Sequence, residues 1–487
     1  MSKSAPGAAD SQCPGLVCAD IAVVGSGPGG ALTAALLAEA GRDVVLIEEG
    51  RRLAPESCPA FSLVEVLQKY RNGGVTVAMG RARITYAEGR VVGGGSEINS
   101  ALFHRLPSAV LDRWRQDFHT EHLTEQELQS HFAACEQELT VGRAPGGAEM
   151  PARKLAAGAQ AEGLTCFEVP RMCGYPVEES PREGIKQTMS RTYIPRFLKA
   201  GGRLIAETKA TRIRRDGTDW RVEAVTARHK PCAIRAHTLF LACGAVGTPA
   251  LLRRSGLGAH VGDSLGLHPT VKLVAEFPEA VNAEGMGVPA HQVKDAAQGL
   301  SFGCSISSPP HLAMALLGHP ECLRRVNDSW RNMAVFYAMT PSAVSGSVRT
   351  VPGFFDPVVR YPVSENDLRE LAKGLCRLAQ LLFAAGAKRL YPVVTGMREL
   401  RGPGDLRSLP KVLAGELAGL MTVHLFSTCP MGEKRAACTA DSFGRVFGHK
   451  NLHIADASLL CGPPGVNPQG AIMAIARRNA LAHLGKL

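Results

Sequence analysis

The sequence predicts a mixed α/β protein in which one domain with a parallel sheet is interrupted by a second domain. From Asp20 to Glu48 an apolar run, a glycine-rich turn, a helical stretch and another apolar run follow one another. Two stretches, 107–181 and 273–417, have a different character and mix charged helices with alternating strands. Between and after them the chain returns to glycine-punctuated α/β patterns. One interrupted domain therefore accounts for the 487 residues better than three independent units do.

The first elements are a strand, a helix and a neighbouring strand. Ile21–Val24 is apolar throughout, as a parallel strand buried on both faces requires. The helix that follows the turn ends at Gly41, which is a suitable C-cap residue. The run Val44–Ile47 predicts the next parallel strand, and Glu48 comes directly after it.

The turn between the first strand and the helix has the spacing of a dinucleotide-binding loop, GSGPGG. Gly25 permits the tight turn, Gly27 lets the backbone approach a pyrophosphate, and Gly30 lets the helix pack against the sheet. The free N–H groups of the helix N-terminus suit phosphates. The Glu48 carboxylate suits ribose hydroxyls and would repel a 2′-phosphate, which disfavours NADP. The loop alone does not separate FAD from NAD.

The domain boundaries follow from these patterns. We expect a flexible arm, a discontinuous nucleotide-binding domain and a substrate-binding domain made of two segments. In that order, the predicted ranges are 1–19; 20–106, 182–272 and 418–487; and 107–181 and 273–417.

Composition excludes several classes of protein. The net charge is +11, but no basic run is interleaved with aromatic residues and no helix is basic and amphipathic, so neither nucleic acid nor a membrane surface is an expected partner. No apolar run reaches the length of a membrane span, and the polar start does not resemble a secretory signal, which predicts a cytoplasmic protein. The 14 cysteines are too dilute for a disulfide framework, so free, mostly buried thiols are expected.

Three further segments, together with the glycine loop, resemble the glucose–methanol–choline (GMC) oxidoreductase family. The first is similar to the GR-x-x-GG-x-S-x-x-N segment of the family, the second to its other signature, and the third to its C-terminal block. In chain order they are Gly89–Asn99; Leu241–Gly258 with its continuation Val261–Pro269; and HLFSTCPMG from His424, Asp456–Ser458 and Gly465–Pro468.

The resemblance implies a Rossmann-type FAD domain, a substrate domain with an antiparallel sheet and helices, and hydride transfer from an alcohol carbon to the flavin. His424 and Asn467 match the pair that faces the substrate hydroxyl. Ile98 replaces the histidine that some relatives bond to FAD, so non-covalent FAD is expected. The implied cofactor-binding residues are Gly25, Gly27, Gly30 and Glu48 for the ADP half; Gly93, Gly94, Ser96 and Asn99 for the pyrophosphate and isoalloxazine; and Asp456 and Ala457 for the ribityl and phosphate region.

The proposed pair suits the chemistry of alcohol oxidation. A neutral histidine such as His424 can accept the hydroxyl proton near pH 7, and an amide such as Asn467 can hold the same oxygen without titrating. We expect no metal. The other histidines are expected to be surface or satisfied core residues, His453 to be structural, and Cys429 to be a packed thiol. Phe426 either narrows the pocket or fills core, and core is favoured; Ser427 replaces the usual glycine of the family. The histidines placed in the surface or core class are His268, His311 and His449.

The substrate is less well defined by the sequence. We expect an FAD-dependent alcohol oxidase or dehydrogenase that acts on a primary alcohol of a small molecule, such as a sugar or aminocyclitol hydroxyl in biosynthesis. The alternatives are a long-chain or sterol alcohol, or a lyase that cleaves hydroxynitriles and keeps its FAD. Oxygen or another acceptor would reoxidise the flavin. The basic surface argues against a strongly cationic substrate.

Overall fold

The computed structural model describes residues 15–175, 184–295, 297 and 299–487. Most of the predicted arm and the predicted boundary at 181/182 lie outside these residues. The last residues of the arm were assigned wrongly, because the first strand already begins at Leu16 and pairs there with Ala233. A longer strand is stabilised by this additional pairing with its neighbour.

The elements are labelled in chain order. The strands are β1 (Leu16–Val24), β2 (Val44–Ile47), β3 (Val77–Ala78), β4 (Ile84–Tyr86), β5 (Val141–Gly142), β6 (Cys166–Glu168), β7 (Arg171–Gly174), β8 (Ile185–Lys186), β9 (Arg203–Ile205), β10 (Thr208–Asp216), β11 (Asp219–Thr226), β12 (Pro231–Leu241), β13 (Gly266–Leu267), β14 (Thr270–Glu276), β15 (His291–Asp295), β16 (Leu300–Cys304), β17 (Met333–Met339), β18 (Ser347–Arg349), β19 (Val358–Arg360), β20 (Arg389–Pro392), β21 (Leu420–Thr422), β22 (Leu425–Phe426) and β23 (Leu452–Ile454). The helices are α1 (Pro28–Glu39), α2 (Leu63–Lys69), α3 (Ser108–Phe118), α4 (Glu125–Glu138), α5 (Met150–Ala161), α6 (Tyr193–Lys199), α7 (Gly244–Arg254), α8 (Pro309–Ala315), α9 (Pro320–Leu323), α10 (Val326–Ser329), α11 (Glu365–Ala384) and α12 (Gln469–His483).

The first domain is built on a sheet with the order β10-β11-β12-β1-β2-β9, and β23 also pairs with β12. The pairs of β1 with β12 and β2, of β2 with β9, and of β12 with β23 are parallel. The strand β2 and the helix α1 match the predicted elements, and α1 packs against α12. The predicted Rossmann-type α/β domain is confirmed.

The second domain is built on a largely antiparallel sheet with the order β3-β4-β21-β14-β17-β16-β15-β6, and β20 also pairs with β14. The helices α5 and α11 pack on this sheet, and the leucines of α11 at 368, 371, 375 and 378 are buried. Strands β3, β4 and β21 fall in ranges predicted for the first domain. Their backbone hydrogen bonds join them to the second sheet instead, since β4 pairs with β21 and β21 with β14.

The apolar interior forms two large clusters, one around each sheet. The chain crosses between the domains several times, so the first domain and the second share the segment that carries His424. Within the described ranges, no helix has both the length and the apolar character needed to cross a membrane.

Candidate active site

The glycine loop between β1 and α1 is packed too closely for side chains at two of its positions. A Cβ atom on Gly25 would lie 2.2 Å from the Ala242 carbonyl oxygen, and the φ angle of Gly25 is +103°. A Cβ atom on Gly30 would lie 2.0 Å from the carbonyl oxygen of Gly25. These contacts give Gly25 and Gly30 the turn and packing roles that the sequence predicts.

Gly27 differs from its neighbours because the space next to it is open. A Cβ atom there would have no protein atom within 4 Å, and Gly27 is the N-cap of α1. The first-turn N–H groups of a helix have no acceptor within the helix itself, which makes this end a suitable anion site. Gly95 is similarly open, and a Cβ on Gly94 would lie 2.8 Å from the Gly27 Cα. Two glycine loops therefore face one cradle.

A polar network joins the two loops. The Ser26 hydroxyl donates to Glu48 Oε2 at 2.7 Å and accepts the Gly93 N–H at 3.0 Å. The Gly50 N–H donates to Glu48 Oε1 at 2.8 Å. Burial raises the pKa of Glu48, although these hydrogen bonds oppose the shift. Glu48 thus lies where the fingerprint places the acidic residue, and its ribose contact stays a prediction.

The remaining predicted cofactor residues lie around the same cradle. Ser96 Oγ donates to the Gly93 carbonyl at 2.8 Å and accepts the Met189 N–H at 3.0 Å. Asn99 hydrogen-bonds to Gln469 at the start of α12. A Cβ on Gly29 would be 1.9 Å from the carbonyl oxygen of residue 455, so this carbonyl lies against α1. Asp456 and Ala457 follow it directly and therefore lie beside the start of the helix.

Both carboxylate oxygens of Asp456 are already hydrogen-bonded within the protein. Oδ1 accepts the Ser458 N–H at 2.8 Å, and Oδ2 accepts the Gly244 N–H at 2.9 Å. Thr248 also donates to Oδ2. Asp456 therefore fixes the start of α7 next to the cradle, and a direct contact with the cofactor stays a prediction.

His424 and Asn467, the pair singled out in the sequence, lie next to each other. The distance from His424 Nε2 to Asn467 Nδ2 is 3.1 Å. His424 Nδ1 lies 3.1 Å from His268 Nδ1. The prediction for His268 was incomplete: it is buried, but its Nε2 has no hydrogen-bond partner, and its other nitrogen contacts His424.

These contacts assign the proton positions on the two rings. The Asn467 amide oxygen accepts from Gln292 Nε2 at 3.3 Å, so its Nδ2 group donates to the lone pair of His424 Nε2. The neutral His424 ring then carries its proton on Nδ1 and donates it to His268. His268 in turn carries its own proton on Nε2. The arrangement leaves His424 Nε2 as the proton acceptor.

Electrostatics keeps this acceptor neutral. Burial lowers the pKa of His424 to about 3, and the nearby His104 and Lys294 contribute further. Burial also lowers the pKa of His268 well below its usual value, with repulsion from His424 as the next cause. A hydroxyl group that replaces the direct contact between His424 Nε2 and Asn467 Nδ2 could donate to the first and accept from the second.

A cavity of about 200 Å³ is lined by neighbours of this pair but not by His424 or Asn467 themselves. Its wall includes His268 and the backbone of Gly465, two residues before Asn467. The other residues come mainly from β15, β16, β17 and the turns beside them. They are Lys294, Asp295, Gly299, Leu300, Ser301, Met339 and Pro341.

Sequence reasoning missed the residues that the second sheet contributes. Gln292 Nε2 contacts both Asn467 and the Tyr337 hydroxyl, the latter at 3.1 Å. Lys294 Nζ donates to the Gly465 carbonyl at 2.7 Å. Gln292 and Lys294 are two residues apart in β15, so their side chains lie on the same face of the strand, toward the site. A two-residue spacing in a short strand carries no motif that could have identified them.

Other predicted residues behave as expected. His453 is stacked on Phe240 with 4.5 Å between ring centroids, which confirms a structural role. Cys429 is fully buried, and burial raises the pKa of its thiol. Phe426 is also fully buried and packs against Gly266, as favoured for a core residue. Ser427 has a φ angle of +67°, the left-handed conformation that explains a glycine at this position in relatives. Within the described ranges no His, Cys, Asp and Glu residues cluster as metal ligands.

A dinucleotide-type cradle together with a neutral histidine beside an amide fits the class of flavin-dependent oxidoreductases. The chain belongs to the GMC oxidoreductase family, because profiles of that family match residues 67–270 and 309–476. A profile of NAD(P)-binding Rossmann-like domains matches residues 23–56, which contain the glycine loop. The protein is an FAD-dependent enzyme that oxidises alcohols, as an oxidase or a dehydrogenase.

The curated relatives agree on the family and differ in substrate. A GMC-type oxidoreductase of Sinorhizobium fredii is 36% identical over 96% of this chain and 94% of its own length. A long-chain-alcohol oxidase of Arabidopsis thaliana is 25% identical over 94% of this chain and 66% of its own length. Paromamine 6'-oxidase of Streptomyces fradiae is 24% identical over 96% of this chain and 92% of its own length.

Proposed function

We propose that the protein oxidises a primary alcohol of a small molecule to the carbonyl compound, with His424 as general base and Asn467 as the group that orients the hydroxyl. The observation that carries this proposal is the 3.1 Å approach of His424 Nε2 to Asn467 Nδ2, beside His268 of the cavity wall. A hydroxyl oxygen is the group that can both donate to the first nitrogen and accept from the second.

The residues around the glycine loops suit FAD. The helix N-terminus and the open faces of Gly27 and Gly95 provide N–H groups for a pyrophosphate. When bound, FAD accepts the hydride that leaves the alcohol carbon. We propose non-covalent binding, since residue 98 is isoleucine. Acid precipitation should then leave the yellow colour in solution, and colour that stays with the precipitate would contradict this.

The role of the protein residues is to bind, orient and deprotonate. Asn467 holds the hydroxyl oxygen, and Gln292 fixes the direction of that amide. His424 takes the hydroxyl proton at Nε2, which makes loss of hydride from the carbon easier. His268 stabilises the charge formed on His424, because it accepts the hydrogen bond from Nδ1. General-base help of this kind contributes about 10² to 10⁴ in rate.

The size and charge of the cavity favour a small polar substrate. Its volume of about 200 Å³ is sufficient for a small alcohol, since pockets for drug-sized ligands span roughly 300 to 1,000 Å³. The ammonium group of Lys294 in its wall disfavours an aminocyclitol relative to a sugar or another uncharged or anionic alcohol. A cytoplasmic location and a role in biosynthesis stay predictions.

Anaerobic mixing of the oxidised holoenzyme with a panel of alcohols tests the proposal. Bleaching of the flavin absorbance by short polar primary alcohols is expected, with return of the colour on exposure to air or to an artificial acceptor. Bleaching by long-chain alcohols alone would instead favour a long-chain-alcohol oxidase, which is the name of the Arabidopsis relative. A flavin that stays oxidised while a hydroxynitrile is cleaved would identify a lyase.

A further inference from the structure

The wall of the cavity that His268 lines also carries a cation with incomplete hydrogen bonding. Lys294 lies on β15, and its Nζ donates to Ser301 Oγ at 2.8 Å and to the Gly465 carbonyl at 2.7 Å. An ammonium group has three N–H donors, so one remains. In the described part of the chain, both partners are neutral and no carboxylate pairs with Lys294. A half-buried cation in this state is a strong attractor for an anion.

Ser301 adds a second donor at the same place. Its oxygen accepts from Lys294, which leaves its own O–H to donate, and the residue is buried in the cavity wall. Lys294 and Ser301 face each other across the pair of β15 and β16. One ammonium N–H and one hydroxyl O–H match the two oxygens of a carboxylate.

The acidic residue of the cavity wall, Asp295, forms no ion pair with Lys294. Asp295 follows Lys294 in the strand, and successive side chains point to opposite faces. Its Oδ2 atom lies 3.6 Å from Arg377 Nε. Arg377 also pairs with Glu162 Oε2 at 2.5 Å, so Asp295 belongs to a separate group of charges. Burial lowers the pKa of Lys294 to about 8, which leaves the ammonium charged at pH 7.

We infer that Lys294 and Ser301 form an anion site that selects alcohols bearing a carboxylate, so that the substrate class is hydroxy acids. This inference rests on the proposed function, because it assigns the substrate of the same cavity. A single cation balances one carboxylate, whereas a phosphate dianion would keep an unbalanced charge. The preference separates this chain from an enzyme for a polyamine such as an aminocyclitol.

The same contact would couple substrate binding to the base. Lys294 is one of the groups that oppose protonation of His424. A carboxylate bound to Lys294 offsets that repulsion, so His424 accepts the hydroxyl proton more readily when a hydroxy acid occupies the cavity. A neutral alcohol of the same shape lacks this effect.

Matched pairs of anion and amide test the anion site. Acetate against acetamide and benzoate against benzamide are titrated into the oxidised holoenzyme, and the change in flavin absorbance gives each dissociation constant. We expect at least one carboxylate to bind about tenfold or more tightly than its amide, as for hydrogen bonds to a charged group. Lys294→Met should bring that ratio close to one, Lys294→Arg should retain it, and Ser301→Ala should reduce it. Equal binding within both pairs, or no binding by either carboxylate at millimolar concentration, would overturn the inference.

Flavin reduction by 4-(hydroxymethyl)benzoate and by its amide separates this inference from the proposed function. A ratio of kcat/KM that favours the acid in the wild type and falls in Lys294→Met supports both. Reduction by neutral alcohols with no advantage for the acid would reject the anion site alone. Tight carboxylate binding without reduction by any alcohol would reject the proposed function alone. The flavin spectrum and melting temperature of Lys294→Met show whether the loop at Gly465 is still in place.

Discussion

The two sides of the proposed active site differ in composition: backbone groups form one side, and side chains form the other. The side on which we propose that the flavin binds consists of backbone: glycine loops at 25–30 and 93–95, a helix N-terminus and close approaches that leave no space for a Cβ at Gly25 or Gly30. The substrate side consists of side chains from an antiparallel sheet, among them Lys294 and Ser301. Recognition by backbone constrains residue type, whereas a strand position can carry almost any side chain.

This difference explains why the cofactor is easier to assign than the substrate. A pyrophosphate needs N–H groups and close contact, and glycine is the residue that permits both. A substrate cavity needs only a suitable lining, which can change while the backbone stays the same. The relatives fit this view, because long-chain alcohols and paromamine are oxidised within one family.

The largest effect is expected at the point where the two sides meet. His424→Asn removes the proton acceptor, so anaerobic flavin reduction by an alcohol should slow at least about a hundredfold, the low end of general-base catalysis. FAD should still bind, because His424 contacts side chains of the substrate side and not the glycine loops. Stopped-flow absorbance measures both the rate and the flavin content.

His260→Asn is the matched control, since His260 is exposed and takes no part in the hydrogen bonds of the His424 ring. It should reduce its flavin at the rate of the wild type. A His424→Asn enzyme with an unchanged rate would remove His424 from the chemistry. Loss of FAD from that variant would instead show that the two sides are not separable.

A pair of glycine variants examines the flavin side. Gly30→Ala places a methyl group 2.0 Å from a backbone oxygen, so the free energy of unfolding of the apoprotein should fall by about 1–3 kcal/mol, as for an overpacked core. Gly27→Ala places its methyl group in open space, so stability should be retained while FAD binds about tenfold more weakly, or ~1.4 kcal/mol. Denaturant unfolding and FAD titration measure the two quantities.

The contrast between Gly30 and Gly27 matters more than either value. If Gly27→Ala destabilised the apoprotein as much as Gly30→Ala, the open space beside Gly27 would be part of the protein's packing and not a place for the cofactor. If neither variant changed FAD affinity, the pyrophosphate would lie elsewhere.

How much of the structure the sequence predicts depends on the same difference between sites formed by backbone and sites formed by side chains. The strand β2 matches its predicted residues, and the His424–Asn467 contact is found as expected. Lys294 could not be predicted, because a lysine in a five-residue strand has no motif. His268 was predicted to be a surface or satisfied core residue. Its contact with His424 comes from the pairing of Leu267 with Leu425, in two strands of only two residues each. Such short pairings depend on tertiary structure, which local patterns do not encode.

Substitution of His268 should have the smallest effect on the rate of flavin reduction, and it tests how the tautomer of His424 is fixed. His268→Ala removes the acceptor for His424 Nδ1–H, so the ring can adopt the other tautomer, in which Nε2 is blocked by its own proton. Since the favourable tautomer still forms part of the time, flavin reduction should slow by about tenfold, less than for His424→Asn.

His268→Asn tests whether the effect depends on the hydrogen bond. The asparagine oxygen takes the place of His268 Nδ1 as an acceptor, so this variant should recover most of the rate that His268→Ala loses. Flavin content and melting temperature should be similar in the two variants. Equal loss of rate in both, with an equal fall in melting temperature, would mean that His268 only fills space beside Phe426, whose ring centroid is 5.0 Å away. Recovery by asparagine would instead show that His268, a residue of the second signature segment, controls the tautomer of His424. A motif that the sequence reveals would then supply an important contact on the substrate side.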